Sequence, residues 1–269
     1  MTLGEAIELL QKCGVPSPEF DARAIFEDIG GVPRTRLVFR DVPATDAVEK
    51  AIKRRAEREP LQYILGSVDF YKERYEVTPD CLIPRQETEL LVELATELLP
   101  RGARFADLCT GSGCIAISTL KNTSETTAVA VDLSDAAITL AERNARANGV
   151  SDRIAFLKKD VLSETVEGEL FAVLSNPPYV KKDAPELLAP EIAHEPRMAF
   201  IGGGYDGANF YRAIVSFYKD RIPDGGFILF EIGYDQGDAL VRIAGENGMT
   251  AEIRRDLSGN DRLALLRRK

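Results

Sequence analysis

At 269 residues, with 45% apolar and 29% charged side chains, the chain suits one large domain plus a small one and reads as an ordinary globular protein. Its net charge of −9 argues against long duplex nucleic acid as the main partner, and its single histidine, His194, excludes a multi-histidine metal site. No run approaches the roughly 18 apolar residues of a membrane span, Met1–Glu5 opens an amphipathic pattern rather than a leader, and Cys13, Cys81, Cys109 and Cys114 form no C-x-x-C pair. A cytoplasmic protein with reduced thiols, no metal and no membrane partner is therefore expected.

Residues 1–60 predict a helical domain. Leu3, Ile7, Leu10 and Cys13 recur at helical spacing, and Gly14 ends that helix. Ser17-Pro18 reads as an N-cap with proline at the first helical position, opening a helix through Ile29 that Gly30-Gly31 closes. A third helix is expected from Thr45-Asp46 to Pro60. Its Lys50, Lys53, Arg54, Arg55 and Arg58 are either a solvated face or a contact for a polyanion such as ribosomal RNA. From Gln62 to Thr78 aromatic and β-branched residues alternate with polar ones, which predicts a β-hairpin linker over 61–84.

Residues 85–269 predict an α/β domain. A helix over Glu87–Leu99 is followed by apolar strands at 105–108, 128–131, 154–157, 171–174 and 227–232. Helices are expected between and after them, through Leu120, over Ser134–Asn148, near Asn209–Lys219 and over Gln236–Glu246. Alternating units of this kind make a mostly parallel sheet covered on both faces. Two final extended pieces, 250–255 and 262–266, lie too close together for a helical crossover and should form an antiparallel C-terminal hairpin at the sheet edge.

Four motifs fall at strand ends, where open parallel sheets bind ligands. The turn Asp107-Leu108-Cys109-Thr110-Gly111-Ser112-Gly113-Cys114 lets the backbone approach a ligand closely and leads into a helix N-terminus with free N–H groups. Asp132, at the next strand end, can accept hydrogen bonds from ribose hydroxyls or merely serve the turn before Ser134. Asp160 sits where an adenine ring would be read, or caps a helix. Asn176-Pro177-Pro178-Tyr179 follows the fourth strand; two prolines with fixed φ and no N–H hold the chain extended and leave oxygen acceptors free. Such a rigid, acceptor-rich corner with an aromatic face suits a planar –NH2 group, although it is also a sound way to end a strand. Hydride transfer has no use for it, whereas methyl transfer to an amide or amine nitrogen does.

Glycine turn, Asp132 and the Asn-Pro-Pro-Tyr corner together resemble the class I S-adenosylmethionine-dependent N-methyltransferases. Further stretches, Pro60–Gly66, Leu82-Ile83-Pro84-Arg85, Glu195-Pro196, Gly202-Gly203, Asp206-Gly207, Phe210-Tyr211-Arg212, Glu231-Ile232-Gly233 and Asp256–Arg262, resemble the release-factor glutamine methyltransferases within that class. The resemblance implies a Rossmann-like class I methyltransferase sheet behind a small N-terminal helical substrate-binding domain. The implied activity moves a methyl group from S-adenosylmethionine to the N5 nitrogen of the glutamine in the Gly-Gly-Gln motif of peptide-chain release factors, leaving S-adenosylhomocysteine, with ribosome contact an open matter.

The site residues it implies are Asp107, Cys109, Thr110, Gly111, Ser112, Gly113, Asp132, Leu133, Asp160, Val161 and Asn176 for cofactor. Asn176, Pro177, Pro178 and Tyr179 are implied for catalysis and, with Arg85, for substrate. Arg85 would stand at the entrance of the active site or in a structural ion pair, and His194 is assigned a surface or structural part. Gln86, where the family commonly has proline, and Tyr71–Arg74, where it often has glycine, are departures that bear on substrate fit. Two other readings compete: an adenine-N6 nucleic-acid methyltransferase, which the negative charge disfavours, and a non-catalytic S-adenosylmethionine-binding protein, which would not need the corner.

Overall fold

The computed structural model of the chain describes residues 1–184, 187 and 189–269. They divide into two compact units, Met1–Val68 with Glu186–His194 and Asp69–Pro185 with Glu195–Lys269.

The first unit is helical. In α1 (Leu3–Lys12) the Thr2 side chain accepts from the Glu5 N–H and the Glu5 carboxylate accepts from the Thr2 N–H, a reciprocal cap that satisfies two otherwise orphaned donors. In α2 (Pro18–Asp28) proline opens the helix as expected, but Ser17 makes no side-chain cap bond because its backbone (φ −127°, ψ 62°) is not extended. The third helix, α3 (Asp46–Ala56), stops well before Pro60, and Arg58 beyond it turns left-handed at φ 69°. Most of its basic residues are spent internally. Arg54 holds Glu59, Arg55 holds Asp21 at 2.7 Å and Glu191 at 3.1 Å, and Arg58 grips both oxygens of Glu191 at 2.7 Å. Lys50 and Lys53 are exposed on α3.

Residues 61–65, expected to be extended, form instead the short helix α4 (Leu61–Leu65). Its Leu61 and Ile64 bury against Leu3, Leu10, Phe26 and Ile52 in the core of this unit, and Gly66 at φ 74° ends it. Burial of two side chains on one side of a turn outweighs the weak strand preference of Tyr63 and Ile64. The hairpin is correspondingly shorter, β1 (Ser67–Phe70) with β2 (Glu73–Glu76).

The second unit holds α5 (Glu89–Leu98), β3 (Arg104–Leu108), α6 (Cys114–Asn122), β4 (Thr127–Asp132), α7 (Asp135–Ala147), β5 (Ile154–Lys158) and β6 (Ala172–Ser175). It continues with α8 (Asn209–Tyr218), β7 (Phe227–Glu231), α9 (Gly237–Glu246), β8 (Met249–Arg255) and β9 (Asp261–Arg268). The sheet order is β5-β4-β3-β6-β7-β9-β8. Pairings among β3 to β7 are parallel, while β9 lies antiparallel to both β7 and β8, so the terminal hairpin closes one edge as expected. Every residue of β6 and β7 is buried, as strands covered on both faces must be.

The chain builds β3, β4 and β5 outward and then returns to lay β6 on the other side of β3. This reversal opens a crevice beyond the strand ends. In register, Leu108 stands beside Ser175, and the Ser175 hydroxyl donates to the Leu108 carbonyl at 2.6 Å. The glycine turn and Asn176 therefore emerge from neighbouring strand ends.

Candidate active site

The turn after β3 takes left-handed backbone at Cys109 (φ 62°), Gly111 (φ 54°) and Gly113 (φ 82°). A Cβ on Gly113 would stand 2.9 Å from Ile117 Cδ1 and 3.1 Å from the Ala141 methyl, so only glycine lets the turn pack against α6 and α7. Asp107 is fully buried beneath it. One carboxyl oxygen accepts from the Thr110 hydroxyl at 2.6 Å and the Ala116 N–H at 3.2 Å; the other, Oδ1, is buried with no partner, and burial pushes the group up to about 7.

Asp132, at the end of β4, spends one lone pair on each oxygen. Its Oδ2 accepts from the Gly111 N–H at 2.9 Å and its Oδ1 from the Ser134 N–H at 3.0 Å. It thus ties the glycine turn to the start of α7, where Ser134 caps through the Ala137 N–H. Asp160 turns one oxygen to the Leu162 N–H at 2.9 Å, so it serves a local turn while standing at the crevice wall.

After β6, Pro177 and Pro178 are buried and Asn176 is half-buried. Asn176 Nδ2 donates to Thr88 Oγ1 at 3.2 Å, and the Thr88 hydroxyl donates to Glu231 Oε2 at 2.5 Å. The Tyr179 hydroxyl donates to Glu231 Oε1 at 3.2 Å. Burial pushes the Glu231 carboxyl up, opposed chiefly by the Thr88 hydrogen bond and the Arg262 charge; the Tyr179 phenol is pushed up by burial and the Glu231 charge. Behind this corner Gln236, only 4% exposed, uses its amide in full. It donates to the Tyr179 and Asp206 carbonyls at 3.1 and 3.0 Å and accepts from the Gly233 N–H at 3.0 Å, while the one proton of the Tyr211 hydroxyl is shared between the Gln236 oxygen at 3.3 Å and the Glu231 carbonyl at 3.0 Å.

These strand ends line one crevice of about 1070 Å³, counting the part open to solvent, on the scale of a nucleoside-sized ligand. Of the residues expected for cofactor, Cys109, Thr110, Gly111, Ser112, Asp132, Leu133, Asp160, Val161 and Asn176 line it; Asp107 and Gly113 stand behind the wall. Of those expected for catalysis and substrate, Asn176, Pro178 and Arg85 line it, whereas Pro177 and Tyr179 do not. Arg85 also pairs with Glu195 at 2.5 Å, and Glu195 in turn accepts from the Ile83 N–H at 3.0 Å. His194 is exposed and outside the crevice.

Sequence reasoning gives no site role to Thr88, Leu82, Met198 and Phe210, which are in the lining, or to Glu231 and Gln236 behind it, although Leu82, Phe210 and Glu231 stand in stretches that carry the family resemblance. A carboxylate closing the otherwise apolar strand Phe227–Glu231 is a second signal for Glu231, beside that resemblance. Among the described residues no group of three or more His, Cys, Asp or Glu side chains is arranged to hold a metal ion, and no helix is long and apolar enough to cross a membrane.

Residues 86–204 match the methyltransferase small domain family and residues 2–66 the PrmC N-terminal domain family. A release factor glutamine methyltransferase of Moorella thermoacetica is 36% identical over 276 aligned residues, covering 99% of this chain and 97% of that protein. One of Thermodesulfovibrio yellowstonii is 38% identical over 226, covering 82% and 81%. Among solved structures, a ribosomal protein L11 methylase of Lactobacillus delbrueckii superposes on 72% of this chain and 84% of its own with a TM-score of 0.53 at 22% identity, a likeness of fold.

Proposed function

The chain belongs to the release factor glutamine methyltransferase family, and from that premise we infer that it transfers a methyl group from S-adenosylmethionine to the side-chain amide nitrogen of the glutamine in the Gly-Gly-Gln motif of a peptide-chain release factor. The observation that carries the inference is the Asn176 amide, whose Nδ2 is engaged by Thr88 and whose oxygen is left for a donor, in the same crevice as Asp132 and the glycine turn.

The crevice suits the cofactor. Asp132 keeps one lone pair on each oxygen after its two backbone bonds, which fits a pair of ribose hydroxyls. Asp80, Asp132 and Asp160 outnumber Arg85 and Lys159 in the lining, which leaves it net negative and fits a ligand carrying positive charge. Leu133 and Val161 offer apolar faces for a base. When bound, S-adenosylmethionine supplies a methyl group whose bond to a sulfonium sulfur breaks, the electron pair staying on sulfur, as its bond to the amide nitrogen forms.

An amide nitrogen is a poor nucleophile because its lone pair is delocalised into the carbonyl. Asn176 Oδ1 and the Pro177 carbonyl would accept its two N–H groups, stabilise charge developing on nitrogen and aim the lone pair at the methyl group. Fixed hydrogen-bonding groups of this kind are worth on the order of 3 kcal/mol each. Holding the reacting atoms at about 3–3.5 Å adds several more. The displaced amide proton is strongly acidic once the nitrogen is methylated and passes to water, so no histidine base is needed. Pro178 and Phe210 would supply flat faces for the carboxamide, with Tyr179 holding Glu231 behind them, and Arg85 would meet the loop that carries it. The helical unit, with α4 now part of it, would bind the body of the release factor, and the hairpin that follows would serve as linker.

Asn176→Ala tests the assignment. Methyl transfer to a release factor, followed by mass spectrometry, should be abolished while calorimetric binding of S-adenosylmethionine stays within about threefold. Wild-type activity in the variant would overturn the mechanism.

A further inference from the structure

We propose that Thr88 and Glu231 act as a hydrogen-bond relay that fixes which end of the Asn176 amide faces the substrate. The inference rests on the methyl-transfer reading of the crevice and adds two positioning residues to it.

An ionised carboxylate only accepts, and the Thr88 hydroxyl has one proton to give. At 2.5 Å from Glu231 Oε2, that proton is committed to the carboxylate. Thr88 Oγ1 then has only lone pairs left for Asn176, so it can meet the amide nitrogen, as it does at 3.2 Å, and not the amide oxygen. The opposite amide orientation would set two acceptors against each other in a place where Thr88 and Glu231 are each only 2% exposed. Asn176 Oδ1 is thereby directed away from Thr88.

Glu231 is itself fixed as the acceptor. Its other oxygen takes the Tyr179 hydroxyl at 3.2 Å, and its backbone carbonyl takes the Tyr211 hydroxyl at 3.0 Å. Both carboxyl oxygens therefore face donors, an arrangement that calls for the charged form. Glu231 closes β7, so the acceptor of the relay stands on the sheet rather than on a loop.

Thr88 closes the 3-10 turn Gln86–Thr88 that runs into α5, and its backbone is already helical (φ −67°, ψ −19°). A cap needs non-helical backbone, so the hydroxyl serves no helix N–H and is turned to Glu231 and Asn176 instead, a contact that reaches the crevice.

The test separates positioning from mere burial. Thr88→Ser keeps the hydroxyl, Thr88→Val keeps the shape without it, and Glu231→Gln keeps the shape but introduces a donor. We expect kcat for release-factor methylation to fall about ten- to hundredfold in Thr88→Val and Glu231→Gln, the scale of a misaligned reacting group. KM for S-adenosylmethionine and for the release factor should stay within about twofold, and Thr88→Ser should recover most of kcat. Wild-type kcat in Thr88→Val, or equal loss in Thr88→Ser and Thr88→Val, would overturn the relay.

A parallel measurement needs no substrate. Nuclear Overhauser contacts between the Asn176 side-chain NH2 and the Thr88 methyl should be present in the wild-type protein and weakened in Glu231→Gln. Equal contacts in both would overturn the relay. If the wild-type protein leaves the release factor unmodified, the substrate reading fails by itself, and the Asn176 contacts still decide for or against the relay.

Discussion

Replacing Asp132 by asparagine probes the crevice at its most informative residue. The two carboxylate oxygens have separate duties, Oδ2 to the Gly111 N–H and Oδ1 to the Ser134 N–H, and each retains one lone pair for a ribose hydroxyl. Asparagine keeps one oxygen and sets its NH2 against the other N–H. One hydrogen bond to a charged acceptor is lost within the protein, about 1.5–3 kcal/mol of stability. One ribose acceptor is lost as well, a similar sum that corresponds to about ten- to hundredfold in cofactor affinity. Urea unfolding reads the first, as a lower midpoint at constant slope. Calorimetric titration with S-adenosylmethionine and, separately, S-adenosylhomocysteine reads the second. Both ligands carry the same ribose and should weaken equally. Wild-type affinity in a variant whose unfolding midpoint has fallen would refute the ribose assignment while leaving the role of Asp132 in the fold intact.

Other perturbations test the frame around the site. Gly113→Ala forces a Cβ into left-handed backbone and to 2.9 Å from Ile117; a loss of about 2–4 kcal/mol in urea unfolding is expected, and an unchanged midpoint would contradict the packing described. Arg55→Ala removes the partner of Asp21, whose carboxyl burial already pushes up despite the ion pair; a loss of about 3–5 kcal/mol is expected at neutral pH, and a change below about 1 kcal/mol would mean the pair is solvated. Burial raises Asp107 from 3.8 to about 7, so the folded chain holds a proton that the unfolded chain has released. That contribution is fully present below about pH 4 and lost as pH rises to about 7, and the stability difference between wild type and Asp107→Asn should shift across that window by on the order of 4 kcal/mol. A difference independent of pH would show that Asp107 does not titrate there.

The parallel sheet was legible because its strands are short apolar runs between helical patterns, and the terminal hairpin because two strands follow each other without room for a crossover. The crevice was legible because each of its principal residues follows a strand directly. Residues 61–65 were misread because Tyr63 and Ile64 look like strand formers, while burial of Leu61 and Ile64 together decides for a helical turn. Ser17 met the pattern of a cap without the backbone geometry that makes one. Thr88 and Glu231 escaped because they are 143 residues apart and bond through side chains that no local spacing joins. The basic face of α3 looked free because the partners that occupy it, Asp21 and Glu191, lie far away in sequence.

The most direct test of the proposed function is mass spectrometry of a peptide-chain release factor incubated with the protein and S-adenosylmethionine. One added methyl group on the glutamine of the Gly-Gly-Gln loop, absent when Asn176→Ala replaces the wild type, is the expected result. An unmodified glutamine, with cofactor binding confirmed on the same preparation, would contradict the assigned substrate and leave the fold and the crevice as they stand.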